Sequence, residues 1–341
     1  MVQDITALGR LTPVALNLAP PAPSIDWGDF GELRFRDPFF EQTVNRWAAS
    51  EPRPTLLRSG LDVLAEFDHT LGCDPCGLIF HMSRCGSTLL SRLLATLPQT
   101  LVISEPPPLN ALLSAMKAEA DQVMQARALR CLVRALGCRR FGEAFYLLKL
   151  SSWNIRFLSL FRLAFPAAKI VFVQRAPEAV MASVRADAPG WLKVRQHAEQ
   201  AQSLFGIPAS ALAQLDSDTF AVHALAAMID AAREAALHGG LILDYAELAT
   251  AAWTRVAPFC GIDVTADHIV RMQDEARYYS KDPGSRLFTG DPPERRLLDP
   301  RLRDLVATIV EPAYRNMDRW RRRQIFEPAP AHAAAAQMPA S

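Results

Sequence analysis

The run Ser83-Arg84-Cys85-Gly86-Ser87-Thr88 holds the residue types that grip an oxyanion. Arg84 supplies a permanent charge on a planar fork of donors. Ser83, Ser87 and Thr88 add hydroxyls, and Gly86 allows the chain to turn tightly. Cys85 is a thiol beside a cation at a turn into a helix, a setting expected to lower its pKa and make it reactive until an anion covers it. Arg175, with Ser183 two helical turns further on, forms a second pair of donors. Glu105 and Lys149 lie between the two groups in the chain. Two separated groups of donors suit a ligand that carries anionic groups at two places.

The elements needed to position these residues are legible around them. Leu78 to Met82 is a short apolar run of the kind that makes a buried strand, and Leu89, Leu90, Leu93, Leu94 and Leu97 recur at helical spacing. A strand feeding a tight loop and then a helix N-terminus is an anion site by construction, because loop amides and the first helical N–H groups lack partners and the helix dipole favours negative charge. The nucleoside-triphosphatase pattern Gly-x-x-x-x-Gly-Lys-Ser/Thr is not met: Ser87 follows Gly86, and the cation comes earlier, at Arg84.

Further strands are expected at Leu101 to Ile103, Tyr146 to Leu150, Lys169 to Gln174 and Leu241 to Tyr245, with helical patterns between them. This alternation predicts an α/β fold, a parallel sheet flanked by helices with ligands held at the carboxyl ends of its strands. Arg84, Glu105 and Arg175 all follow strand ends. Pro106, Pro107 and Pro108 are expected to forbid helix directly after Glu105, with helix resuming at Leu109. Ahead of this domain, residues 1–76 are expected to form a mostly helical cap. They open with an irregular Pro- and Ala-rich stretch, followed by helices from Phe39 to Ala49 and from Gly60 to Leu71. The aromatic residues of this section read as core, and no site is placed there. The α/β domain is expected over residues 77–326 and a disordered Ala/Pro-rich tail over 327–341.

The composition sets outer bounds. At 341 residues, half of them hydrophobic, the chain can bury a sizeable core. A net charge of +1 argues against a general nucleic-acid binder. No apolar run is long enough to cross a bilayer, and the N-terminus lacks a signal-peptide pattern, so a cytoplasmic protein with no membrane partner is expected. Six scattered cysteines do not make a disulfide framework, and the lone Cys73-x-x-Cys76 lacks the second pair that structural zinc needs.

Arg84-x-Gly86-Ser87-Thr88 after a strand resembles the phosphate loop of the sulfotransferase superfamily, Lys/Arg-Ser-Gly-Thr-Thr. Arg175-Ala176-Pro177 with Ser183 resembles that superfamily's Arg-Asp-Pro and downstream serine, with Ala176 in place of Asp. The stretch from Lys149 through FPAAKIVFVQR, and LILDYAEL near Tyr245, are similar to segments of tyrosylprotein and other Golgi-type members, with Ala246 where Glu is common. The likeness runs from about Gly77 to Gly261. It implies a phosphate-loop fold and transfer of a sulfuryl group from 3′-phosphoadenosine 5′-phosphosulfate (PAPS) to a hydroxyl, or alternatively an amine, without a metal. The product nucleotide is 3′-phosphoadenosine 5′-phosphate (PAP). The acceptor would be a small molecule, sugar or peptide.

The same likeness assigns roles. Ser83 through Thr88 would hold the 5′-phosphosulfate, and Arg175 and Ser183 the 3′-phosphate. Glu105 would be the catalytic base, Lys149 would sit near the bridging oxygen, and Arg84 would neutralise the leaving phosphate. A late basic loop, Tyr278 to Arg296, adds Lys281 and Arg286 as nucleotide contacts, with Lys193 a further candidate. His81 lies within the first strand of the sheet and reads as packed. The Arg319, Arg321, Arg322, Arg323 cluster reads as a solvated helix end. Two other readings stand beside this one: a kinase moving a phosphoryl group from ATP, and a nucleotide-binding interaction module without catalysis.

Overall fold

A computed structural model of the chain describes residues 8–52, 54–117, 120–278, 280–281, 287 and 298–326. Arg286, much of the late basic loop and the tail 327–341 lie outside the described residues.

Among the described residues, eight strands form two sheets. The larger is built from β4 (Gly77–His81), β5 (Thr100–Ser104), β6 (Phe145–Lys149), β7 (Lys169–Gln174) and β8 (Leu241–Asp244). All are parallel, in the order β5-β6-β4-β7-β8. The central strand β4 is covered on both faces, so every one of its residues is buried and the strand reads as a continuous apolar run rather than an alternating one. Gly77 opens it because a Cβ there would come 2.7 Å from a Leu147 methyl and 2.8 Å from Cys260 Sγ. From β4 the chain crosses to one side to make β5 and β6, then to the other to make β7 and β8. The carboxyl end of β4 is thus the point where the winding reverses and the crossovers leave a crevice.

The helices follow their caps. Ser87–Ala95 begins directly after Gly86 and buries Leu90, Leu93 and Leu94 under the sheet. Pro107–Ala115 begins two residues after Glu105. The prolines that were expected to forbid helix there instead start it, since a proline in the first turn has no N–H to lose and its φ is already helical. Pro177–Ala186 uses the same device after β7. The long helix Ser217–Leu237 is capped by the Asp216 carboxylate, which accepts from Thr219 N–H at 2.7 Å, and it leads into β8. Two helices, Pro300–Ile309 and Glu311–Phe326, close the described chain.

The expectation of a mostly helical N-terminal cap is overturned. Leu11–Asn17 (β1), Ser24–Asp29 (β2) and Leu57–Ser59 (β3) form a three-stranded antiparallel sheet. The Phe40–Ala48 helix agrees with the sequence reading, but the segment expected as a helix from Gly60 is a short 3₁₀ turn, Leu61–Phe67. Pro13 suggested irregular chain, yet it lies at a register shift of an edge strand, where a missing N–H breaks no ladder bond. Trp27 stacks on Phe67 at 5.6 Å and Phe30 on Trp47 at 4.9 Å. These rings join one continuous hydrophobic cluster with the main domain, so the N-terminal section is built onto the sheet's helices rather than tethered to them.

Candidate active site

At the carboxyl ends of the parallel strands lies a cavity of about 480 Å³, within the roughly 300–1,000 Å³ range of small-molecule sites. It is lined by Ser83 through Thr88, Glu105, Arg175, Ser183 and Lys281. Nearly all the described residues singled out in the sequence therefore share one space. Lys149 sits directly behind the wall, fully buried, and Lys193 is exposed and outside it.

The backbone is strained here and nowhere else in the described chain outside glycine. Ser83, Arg84 and Glu105 are the only described non-glycine residues with positive φ, at 72°, 50° and 52°. Left-handed conformations of such residues carry an energetic penalty and collect at functional sites. Gly86 continues the turn at φ 84°, and a Cβ on it would lie 2.5 Å from the Tyr245 ring and 2.8 Å from Leu248 Cδ1. The loop thus closes against the end of β8 with room for glycine alone. Successive left-handed residues turn backbone N–H groups toward one concavity, at the N-terminus of the Ser87–Ala95 helix.

Lys149 and Glu105 form an ion pair at the adjacent strand ends of β6 and β5. The ammonium also donates to Thr88 Oγ1 at 3.3 Å and lies 4.8 Å from the Phe39 ring centroid. Ser151 Oγ donates to the other Glu105 oxygen at 3.4 Å. Burial would raise the Glu105 carboxyl, but the Lys149 charge and the neighbouring His81 outweigh it and hold the group well below the usual carboxylate range. Glu105 is therefore ionised at any physiological pH.

His81 is packed, as expected. Its Nδ1 accepts from Ser83 N–H at 3.1 Å, and Nε2 faces the Leu150 carbonyl at 2.9 Å, which assigns the proton to Nε2. Burial pushes its pKa down, favouring the neutral ring. The histidine thus serves as a brace for the loop.

Arg84 departs from its expected place. Its guanidinium turns away from the loop: Nε donates to Ser183 Oγ at 2.9 Å, and Nη1 pairs with Asp187 at 2.7 Å. Arg175 donates to the Arg84 carbonyl at 3.4 Å and lies over the Tyr245 ring at 4.2 Å. Arg84 and Ser183 thus pair at one side of the cavity, Arg175 stands against the loop backbone and Tyr245, and Lys149 is the cation next to the loop hydroxyl of Thr88. Lys281 closes the basic side. Burial first, and then the Arg84 charge, lower its pKa to about 8.

Cys85 corrects the sequence reading outright. Its thiol is fully buried and points to the Val173 carbonyl at 3.2 Å, beneath the loop rather than into it. Burial pushes the pKa up to about 12, against smaller lowering contributions from the Ser87 and Met82 backbone. A reactive thiolate is not what this turn builds. Cys73 donates to the Gly137 carbonyl at 2.9 Å, and among the described residues no cluster of His, Cys, Asp and Glu is arranged to hold a metal.

Several lining residues were not singled out in the sequence. Trp191 donates its indole N–H to Ser83 Oγ at 3.1 Å and so fixes the loop from outside. Phe39 and Glu41, from the N-terminal section where no site was placed, line the cavity with Trp153 and Asn110. Phe39 precedes the Phe40–Ala48 helix, whose buried residues Phe40 and Trp47 conform to the core reading. No periodicity distinguishes the one aromatic residue of this stretch that faces the cavity.

No protein-family model matches the chain, and no curated protein matches it. Among solved structures it is similar to a sulfotransferase from Mycobacterium avium, with 15% identity over 70% of this chain and 76% of that one, at a TM-score of 0.42. It is also similar to a sulfotransferase from Alicyclobacillus acidocaldarius, with 14% identity over 73% and 96% and a TM-score of 0.43. A mouse sulfotransferase solved with PAP gives 12% identity over 77% and 92%, with a TM-score of 0.41. Identities and TM-scores this low leave function to be argued from the site itself.

Proposed function

We propose that this chain is a sulfotransferase that moves a sulfuryl group from PAPS to an acceptor hydroxyl. The supporting observation is a single cavity lined by a phosphate loop, by Arg175 and by an Arg84–Ser183 pair, and backed by a Lys149–Glu105 ion pair. A donor whose anionic groups hang from different ribose carbons needs two separate groups of donors, whereas a triphosphate needs one continuous cradle. The fit is local as well as global. The loop has a left-handed concavity that only glycine completes, and two arginines and the Ser183 hydroxyl line the same cavity.

When bound, PAPS supplies a sulfuryl group on a phosphate leaving group. Loop amides with Ser87 and Thr88 hold the 5′ end, and Arg175, Arg84 and Ser183 the 3′-phosphate. Lys149, already within reach of Thr88, meets the charge that grows on the leaving oxygen as its bond to sulfur breaks. The acceptor oxygen forms the new bond to sulfur, and Glu105 takes its proton. Release of Lys149 toward the phosphate also strengthens Glu105 as a base, because the cation is what holds its carboxyl so low. Phe39 and Trp153 stand as walls beside the acceptor. The cytoplasm is the compartment we assign.

Phosphoryl transfer from ATP is the competing chemistry and calls for a carboxylate at a strand end to hold Mg²⁺. β7 ends in Gln174, Asp244 at the end of β8 already accepts from Tyr314 Oη at 3.0 Å and Ala246 N–H at 3.1 Å, and Glu105 at the end of β5 is taken up by Lys149. Calorimetric titration separates the readings. PAP is expected to bind on the order of a hundredfold tighter than AMP, since charge-assisted hydrogen bonds contribute roughly 1.5–3 kcal/mol each. Equal affinity for PAP and AMP, or tighter binding of ATP with Mg²⁺, overturns the assignment. Turnover of PAPS with a panel of phenols, alcohols, sugars and peptides in the presence of EDTA then separates an enzyme from a binding module.

A further inference from the structure

The helix Glu311–Phe326 runs antiparallel to β8. Near its start Tyr314 bonds Asp244 at the carboxyl end of the strand, and near its end Gln324 bonds Gly240 and Ile242 at the amino end. Its last turns therefore lie at the pole of the sheet opposite the cavity described above. There a second cleft, of about 260 Å³, is lined by Arg233, Asn316, Arg319, Trp320 and Arg323. The four residues from this helix are spaced i, i+3, i+4 and i+7, so they form one face. Arg233 reaches the same cleft from the helix Ser217–Leu237.

The arginines of this region divide sharply. Arg315 pairs with Glu311, Arg321 with Asp318 and Glu247, and Arg322 with Asp318. Arg233, Arg319 and Arg323 have no carboxylate partner among the described residues, and these three converge on the cleft. Helix polarity favours cations near the end of Glu311–Phe326, which accounts for Arg319 and Arg323. It does not account for a third guanidinium brought from another helix to face them. The Arg323 guanidinium lies over the Trp320 ring, 5.7 Å from its centroid, so charge and aromatic surface meet in one place.

We propose that this cleft is a second ligand site, separate from the sulfuryl-transfer site, for a phosphate or sulfate monoester carried on a single flat ring. Guanidinium forks match the oxygens of a tetrahedral oxyanion two at a time. Trp320 stacks the ring, and Asn316 serves a polar substituent on it. The volume of about 260 Å³ admits one ring with its ester.

The test uses the full chain carrying Arg84→Ala and Arg175→Ala, so that anions no longer report on the main cavity. Phenyl phosphate, phenyl sulfate, inorganic phosphate and phenol are titrated against tryptophan fluorescence, with Trp320→Phe identifying the Trp320 signal and ligand-induced shifts of melting temperature as a second readout. Phenyl phosphate or phenyl sulfate is expected to quench Trp320 saturably and to bind at least tenfold tighter than phenol or inorganic phosphate, and the better of the two esters identifies the source. Arg319→Ala with Arg323→Ala is expected to weaken that binding at least tenfold, as is a rise from about 50 mM to about 500 mM salt. Unchanged affinity in the double variant, or phenol binding as tightly as its esters, overturns the proposal. So does a single-stranded oligonucleotide that displaces the ester at far lower concentration, which would make the cleft a polyanion track.

Discussion

Replacing Lys149 by methionine keeps the volume of a fully buried side chain and removes its charge. The ammonium makes three interactions: the Glu105 ion pair, a 3.3 Å hydrogen bond to Thr88 and a 4.8 Å approach to the Phe39 ring. Removing one partner of a buried pair costs about 3–5 kcal/mol. Glu105 keeps 25% of its side-chain surface exposed, so water recovers part of that, and about 2–3 kcal/mol is expected. For a chain of this size the corresponding loss of melting temperature is roughly 3–4 °C at pH 7. The sign of the pH dependence follows from the depressed carboxyl. Stability due to the pair is fully present above the unfolded glutamate pKa of about 4.3 and is lost as pH falls through the lower folded value. The gap between wild type and Lys149→Met should therefore be constant from about pH 8 to about pH 5 and close in stronger acid. Differential scanning calorimetry across pH measures it, and a double-mutant cycle with Glu105→Gln isolates the coupling between the two residues. Turnover should fall with Lys149→Met even where the protein is folded, because the leaving oxygen loses its cation. A variant as stable as wild type at pH 7, or a gap that persists unchanged at pH 2, would refute the ion pair as the organising contact of the site.

Three further outcomes follow from the geometry. Cys85 should resist alkylation in the native protein with and without PAP, and rapid labelling of the empty protein, read by mass spectrometry of the peptide, would contradict the inward thiol. Lys281, with its pKa lowered to about 8, is cationic below that value and neutral above it. PAP affinity should fall by about tenfold from pH 7 to pH 9.5, with proton uptake on binding, and Lys281→Met should flatten that profile in calorimetry run in buffers of different ionisation enthalpy. Gly86→Ala should abolish PAP binding and lower the melting temperature, since it demands a left-handed alanine with its Cβ 2.5 Å from the Tyr245 ring; wild-type affinity in that variant would mean the loop is not the anion cradle.

The strand–loop–helix from Gly77 to Leu97 and the parallel strands around it were legible in sequence because they are local. An apolar run bounded by turn residues, followed by leucines at helical spacing, has few other ways to bury itself. The order of strands and helices then implied that Arg84, Glu105 and Arg175 would meet at one end of the sheet. The antiparallel N-terminal sheet was not legible. Pro13 breaks the strand pattern unless the strand is known to be an edge with a register shift, and edges exist only once strands have paired. The positive φ of Ser83, Arg84 and Glu105 was hidden for a related reason: these residues adopt it only because surrounding packing forces them to.

The sequence by itself thus determined which residues are present at the strand ends, and the tertiary structure decided where each side chain points. Cys85 lies in the same loop as Arg84, yet its thiol is spent on the Val173 carbonyl of β7 while Arg84 reaches across to Ser183. Glu105 and Lys149 are 44 positions apart and become an ion pair only when β5 and β6 lie side by side. Phe39 joins the site only because the N-terminal sheet packs onto the helices after β5. Periodicity reports which face of an element is buried, an average over many residues. The direction of one side chain at a turn is set by contacts with parts of the chain that are near only in the folded state.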